Sequence, residues 1–191
     1  MNRVVDSIRQ DHVNLAKLLN AVERQLALFD KGETPDYDII RGVADYCLNY
    51  PDLYHHPKED VIFQHLRRRD PLVVQQVGNL DAEHQALAAL TRHFADAVHN
   101  VLRDAEVSRE AFDKAARDFL GTYRAHMRKE EEVFLPAAER ALDEADWREV
   151  EAQMAQHEDP VFGPGGEKRF KELRQHILDW EREDAPAGKA S

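Results

Sequence analysis

His55 and Glu59 stand four residues apart, and so do His126 and Glu130. Four residues is about one helical turn, so each pair projects from a single face. Both pairs lie within the apolar stripe of their segment. His55 and Glu59 continue into Ile62 and Leu66, while Phe119, Tyr123, His126, Glu130 and Val133 share one line. Two further histidines are embedded likewise, His12 between Ile8 and Leu15 and His84 between Leu80 and Leu87. An interior built this way holds four imidazoles and two carboxylates, and buried polar groups need partners. Metal ions would satisfy all six at once.

The pattern is an internal repeat. Asp11-His12-Val13-Asn14-Leu15-Ala16 aligns with Glu83-His84-Gln85-Ala86-Leu87-Ala88, and the segment from His55 to Phe63 aligns with His126 to Phe134, at offsets of 72 and 71 residues. A lone core histidine is usually a hydrogen-bonded structural residue, and one His-x-x-x-Glu is usually a surface pair. Two copies, each preceded by an inward histidine at a matched offset, do not arise readily that way. The repeat suggests two metals sharing two carboxylates. In the second segment His56 and Asp60 compete with His55 and Glu59, but they continue to Phe63 and Arg67, and the self-alignment pairs His55 with His126. His55 and Glu59 are therefore the chosen ligands. Pro57 between them removes a helix hydrogen bond and predicts a distortion, which leaves His56 and Asp60 as supporting or substitute ligands. Glu131 stands in the same relation to Glu130.

Four imidazoles and two carboxylates suit iron, manganese or zinc. Two six-coordinate metals offer about twelve positions, of which the histidines take about four, two bridging carboxylates about four and a solvent bridge about two. About one position per metal stays open for an exogenous ligand. Zinc prefers tetrahedral sites with fewer ligands, so two iron ions are the expected cofactor, with manganese or zinc less suited. Ile62, Leu80 and Leu87 would limit water access and tune the potential.

The elements that must carry these residues are helices. Ile8, Leu15, Leu19, Val22, Leu26 and Phe29 form one face of a first helix, stopped by Asp30-Lys31-Gly32-Glu33-Thr34-Pro35. A second runs through Ile39, Val43, Tyr46 and Tyr50, is interrupted at Pro51, and resumes to Arg67-Arg68-Arg69. A third spans Val73 to Val98, and a fourth Phe112 to Ala137. Four long amphipathic helices with short connectors predict an all-α, up-down antiparallel four-helix bundle over residues 1–142. Residues 143–183 read as a helical extension packing on the bundle, with helices around Trp147–Met154 and Phe170–Trp180. Residues 184–191 read as a disordered tail.

The chain has 191 residues, with 26 Lys and Arg against 37 Asp and Glu, a formal net charge of −11. That balance argues against a nucleic-acid backbone or an anionic membrane surface as partner. No run reaches the roughly 18–20 apolar residues of a membrane helix, and Met1 to Asp6 lacks the apolar stretch of a signal peptide. Cys47, the single cysteine, excludes an internal disulfide. A cytoplasmic location is the expectation. His65, His93, His99, His157 and His176 show no comparable pattern and read as surface or locally hydrogen-bonded residues. Tyr50, Tyr54 and Tyr123 approach the ligand layers. Tyr123, three residues before His126, would be an amphipathic core-edge residue or a hydrogen-bond donor near the centre.

The chain resembles the hemerythrin-like (HHE cation-binding) domain proteins. The resemblance rests on Asp11-His12, His55-His56-Pro57-Lys58-Glu59-Asp60, Glu83-His84 and His126-Met127-Arg128-Lys129-Glu130-Glu131, in order, over roughly residues 1–142. It implies an up-down bundle around a non-haem di-iron centre, with His12, His55, Glu59, His84, His126 and Glu130 as ligands and the two glutamates as bridges. Oxygen-carrying hemerythrins have a second histidine one turn after that of the third helix, where this chain has Ala88. His93 points to the opposite side of that helix. The resemblance is thus closer to hemerythrin-like proteins of iron handling, nitric-oxide or peroxide stress and iron–sulfur repair. Three functions follow as expectations. One is a di-iron protein that binds or reacts with oxygen, nitric oxide or peroxide. Another is a di-iron oxidoreductase that degrades peroxide or repairs iron–sulfur clusters, and the third is a helical interaction module with a structural metal.

Overall fold

The computed structural model describes residues 2–103, 107–154 and 159–184. Among them every regular element is helical. The elements are α1 (Arg3–Asp30), α2 (Tyr37–Tyr50), a π-helical turn (Pro51–His55), α3 (His56–Arg69), α4 (Pro71–Val77), α5 (Leu80–Leu102), α6 (Arg109–Lys129), a second π-helical turn (Glu130–Phe134), α7 (Leu135–Ala141), α8 (Glu144–Gln153), a 3₁₀ turn (Lys168–Phe170) and α9 (Lys171–Asp184).

Each start is written locally. Asn2, Asp36, Asn79 and Ser108 accept backbone N–H bonds at the heads of α1, α2, α5 and α6. Asp143 and Asp146 close a capping box on α8. The expected third helix is split. It divides at Gly78, whose φ of 81° suits glycine, and Asn79, which caps the new start.

Two apolar clusters divide the interior. The first joins Leu15–Phe29 of α1, Ile39–Tyr50 of α2, Leu87–Val98 of α5 and Phe112–Met127 of α6. The second joins Val4–Ile8, Ile62–Leu66, Leu80 and Phe134–Ala138. The first and third long helices pass from the second cluster to the first, and the second and fourth run the other way. That alternation is what an up-down bundle requires. His12, His55, His84 and His126 fall at the layer between the clusters. The interruption expected at Pro51 is a widened turn, so α2 and α3 form one continuous bundle helix, as do α6 and α7.

The extension contributes to both clusters. Val150 of α8 lies in the second, against α3, and Phe170, Leu173 and Ile177 lie in the first, against α1 and α2. Asp159 Oδ2 accepts hydrogen bonds from Asn14 (2.9 Å) and the Tyr46 hydroxyl (3.0 Å), tying the segment to the bundle. Of the expected tail only Asp184 is described; 185–191, and His157, lie outside the described residues. Phe119 is fully buried and stacks on Phe94 with centroids 4.4 Å apart. Phe119→Ala is expected to cost about 3–5 kcal/mol in urea unfolding.

Candidate metal centre

The ligand layer is built at two places where the backbone departs from the α-helix. The His56 N–H reaches back five residues to the Pro51 carbonyl, and the Leu135 N–H to the Glu130 carbonyl. Each widened turn ends two residues before a proline, Pro57 or Pro136. A proline has no N–H for the carbonyl four residues back, and its ring crowds that carbonyl. Widening the preceding turn relieves both problems. A five-residue step also spreads successive side chains by less than the about 100° of an α-helix. His55 and His56 can then both face inward.

Two groups of buried ligands result. His12, His55, Glu59 and Glu130 form one, and His56, His84, His126 and Glu59 form the other; in each, candidate ligand atoms lie within 4.8 Å of one another. The six residues singled out from the sequence are thus brought together. His56, ranked there as a supporting or substitute ligand, joins them as a seventh, while Asp60 and Glu131 stay outside both groups. Glu59 Oε1 lies 3.6 Å from Nε2 of both His12 and His55, and its Oε2 lies 3.4 Å from His84 Nε2. Glu130 Oε2 lies 3.3 Å from His12 Nε2, and its Oε1 lies 2.9 Å from His126 Nε2 and 3.6 Å from His84 Nε2. Each carboxylate turns one oxygen toward each group.

The donor set fits a metal by its orphaned atoms. Both oxygens of Glu59 and Glu130, and Nε2 of His12, His56, His84 and His126, are buried without a hydrogen-bond partner. Leaving so many polar atoms unmet in one interior layer is costly unless something else binds them.

Without metal the cluster polarises itself. Burial disfavours the His12 imidazolium, but Glu130, Glu131 and Glu59 outweigh that and push its pKa up to about 11. Burial likewise opposes charge on His84, and Asp60, Glu130 and Glu59 bring it up to about 11. Burial and the neighbouring Glu130 push the Glu59 carboxyl up, yet His55, His12 and His84 prevail and hold it down at about 2. Burial also opposes ionisation of Glu130, but His12, His126 and His84 hold it well below the usual range. His56 goes the other way, since burial lowers it more than Asp52 raises it.

A family model for the hemerythrin HHE cation-binding domain matches residues 3–138. The chain belongs to the hemerythrin HHE family. Its membership implies cation binding, and the buried His and Glu groups fit a metal site. No curated protein and no solved structure matches the chain.

The remaining expectations sort by position. His65 is buried, with its Nδ1 3.6 Å from Asp146, whereas His93 and His176 are exposed. Tyr123 is buried among Cys47 and Thr91, below the ligand layer. The tyrosine that reaches the layer is Tyr50, whose hydroxyl donates to Asp11 Oδ1 at 3.4 Å. Among the described residues no helix is long and apolar enough to cross a membrane.

Proposed function

We propose that the chain is a non-haem di-iron protein that binds or reacts with a small ligand, oxygen, nitric oxide or peroxide, in sensing, iron handling or stress response. The observation that carries this is the pair of carboxylates, Glu59 and Glu130, each presenting one oxygen to either histidine group. Such a pair could hold two ions between the histidine groups. Five histidines take about five of the roughly twelve positions of two six-coordinate metals, bridging carboxylates about four and a solvent bridge about two. About one position is left, fewer than the count from four histidines suggests, and it falls on the ion of His12 and His55. Two iron ions would supply a redox change and that open position. The chain's own residues set the surroundings: the two apolar clusters above and below exclude bulk water, and the histidine asymmetry directs a ligand to one side.

Iron reconstitution of the purified chain is expected to give about two Fe per chain, with oxo-bridge absorption bands. Fewer than about one Fe per chain and no such bands would overturn the reading and favour a helical interaction module. Tyr50, joined through Asp11 to His55, favours the oxidoreductase as a second reading, because it links a redox-capable ring to a ligand. Steady-state peroxide turnover decides that reading. Equal rates in the wild type and in His126→Ala would remove it.

A further inference from the structure

Outside the ligands themselves, four acidic residues lie along the four seams of the bundle, and three of them hydrogen-bond a ligand imidazole across the seam. Asp11 of the first bundle helix reaches His55 Nδ1 on the second, Oδ2 to Nδ1 3.2 Å. Asp60 of the second reaches His84 Nδ1 on the third at 3.0 Å. Glu83 of the third stands 3.7 Å from His126 Nδ1 on the fourth, which it faces without a hydrogen bond. Glu131 of the fourth reaches His12 Nδ1 on the first at 2.7 Å. Each acid immediately precedes or follows a candidate ligand in sequence, yet faces the histidine of a neighbouring helix. Three of the four seams carry a cation as well. Lys58 binds Asp11 (3.0 Å), Arg9 binds Glu131 (3.3 Å), and Lys129 binds Glu83. An acidic surface would instead give pairs within one helix; among the described residues, the bridging glutamates aside, such a contact to a ligand-layer ring is made by Asp52 to His56, at 3.1 Å.

We propose that Asp11, Asp60 and Glu131 are positioning residues that fix the tautomer and orientation of the His55, His84 and His12 imidazoles, with Glu83 held beside the fourth ring by Lys129. A neutral imidazole carries its proton on one nitrogen only, and an ionised carboxylate can only accept. A carboxylate at Nδ1 therefore selects the Nδ1–H form and leaves the Nε2 lone pair facing the centre. Three seams are tied through an imidazole and the fourth through Lys129 and Glu83, so the helices are held at the spacing the ligands require before any ion arrives. Supporting carboxylates of this kind contribute about 10–100-fold to metal affinity. The inference rests on the metal-site reading above and adds to it the residues that set how firmly the site keeps its ions.

The test uses Co²⁺ on the full chain. The wild type, Asp60→Leu and Glu131→Leu are loaded and challenged with a chelator, following release and the visible cobalt bands. Asp60→Leu is expected to release one of two ions about 10–100-fold faster, and Glu131→Leu the other, so that the double variant releases both quickly. Asp60→Asn keeps an acceptor oxygen, is the safer fold, and is expected to restore release to within a few-fold of wild type. Release rates unchanged in both leucine variants, or Asn behaving like Leu, would overturn the positioning role while leaving the di-metal reading intact. A wild type that takes up no cobalt would overturn both.

Discussion

Glu59→Ala is expected to lose both metal ions, where loss of any one histidine would weaken chiefly one. Glu59 is fully buried and is shared by both ligand groups. Removing it deletes a bridge and opens a void lined by His12, His55 and His84. The metal-free protein should suffer too. Its ordinary carboxyl value of 4.5 is held down at about 2, while His12 and His84 rise from 6.5 to about 11. A depressed carboxyl stabilises the fold above its unfolded value and loses that effect as pH falls through about 2. A raised imidazole stabilises it below its unfolded value and loses that effect as pH climbs toward about 11. Both contributions are complete only between 4.5 and 6.5. Breaking a buried ion pair costs about 3–5 kcal/mol, so urea unfolding of metal-free Glu59→Ala inside that window should show a loss of that order. Elemental analysis gives the second readout, and a variant retaining one ion per chain would refute the shared-bridge role.

Helical spacing made six of the ligand-layer residues legible because an α-helix converts a step of four into a shared face. His12, His84, His126 and Glu130 lie where a straight stripe puts them. His56 does not, since it sits one residue from His55 and only a widened turn turns both inward. The signal was present in Pro57, whose missing donor predicts a local distortion, but a proline does not announce whether the helix kinks, breaks or widens. Pro136 repeats the device beside Glu130. The supporting carboxylates were hidden for another reason. Asp11, Asp60, Glu83 and Glu131 flank ligands off the stripe, and among 37 acidic residues nothing in their spacing separates them from a solvated surface. Their partners lie on neighbouring helices, so only the assembled bundle reveals them. Tyr50 and Tyr123 were likewise separable only by depth in the bundle.

Acidification should release the metal without unfolding the protein. A ligand must be deprotonated to bind, and the metal-free cluster holds protons on His12 in one group and His84 in the other. Each ion must therefore displace at least about one proton below about 11. The bridging carboxylates contribute none, because Glu59 stays ionised down to about 2 and Glu130 well below the usual range. His56 contributes none either, since burial keeps it neutral. Apparent affinity for each ion then falls by at least about tenfold per pH unit, roughly 100-fold or more from pH 8 to pH 6 and about 10⁴-fold or more for the pair. Calorimetric titration with Co²⁺ in buffers of different ionisation enthalpy should report at least about one proton released per ion. Proton release near zero and a flat pH profile would contradict the argument. The protons that expel the ions also replace them as counter-charges to Glu59 and Glu130. That internal pairing is complete between 4.5 and 6.5, where the metal is already weakened. Helical circular dichroism should accordingly survive metal loss in that window, and a cooperative unfolding coincident with metal release would show that imidazolium–carboxylate pairing cannot stand in for the ions.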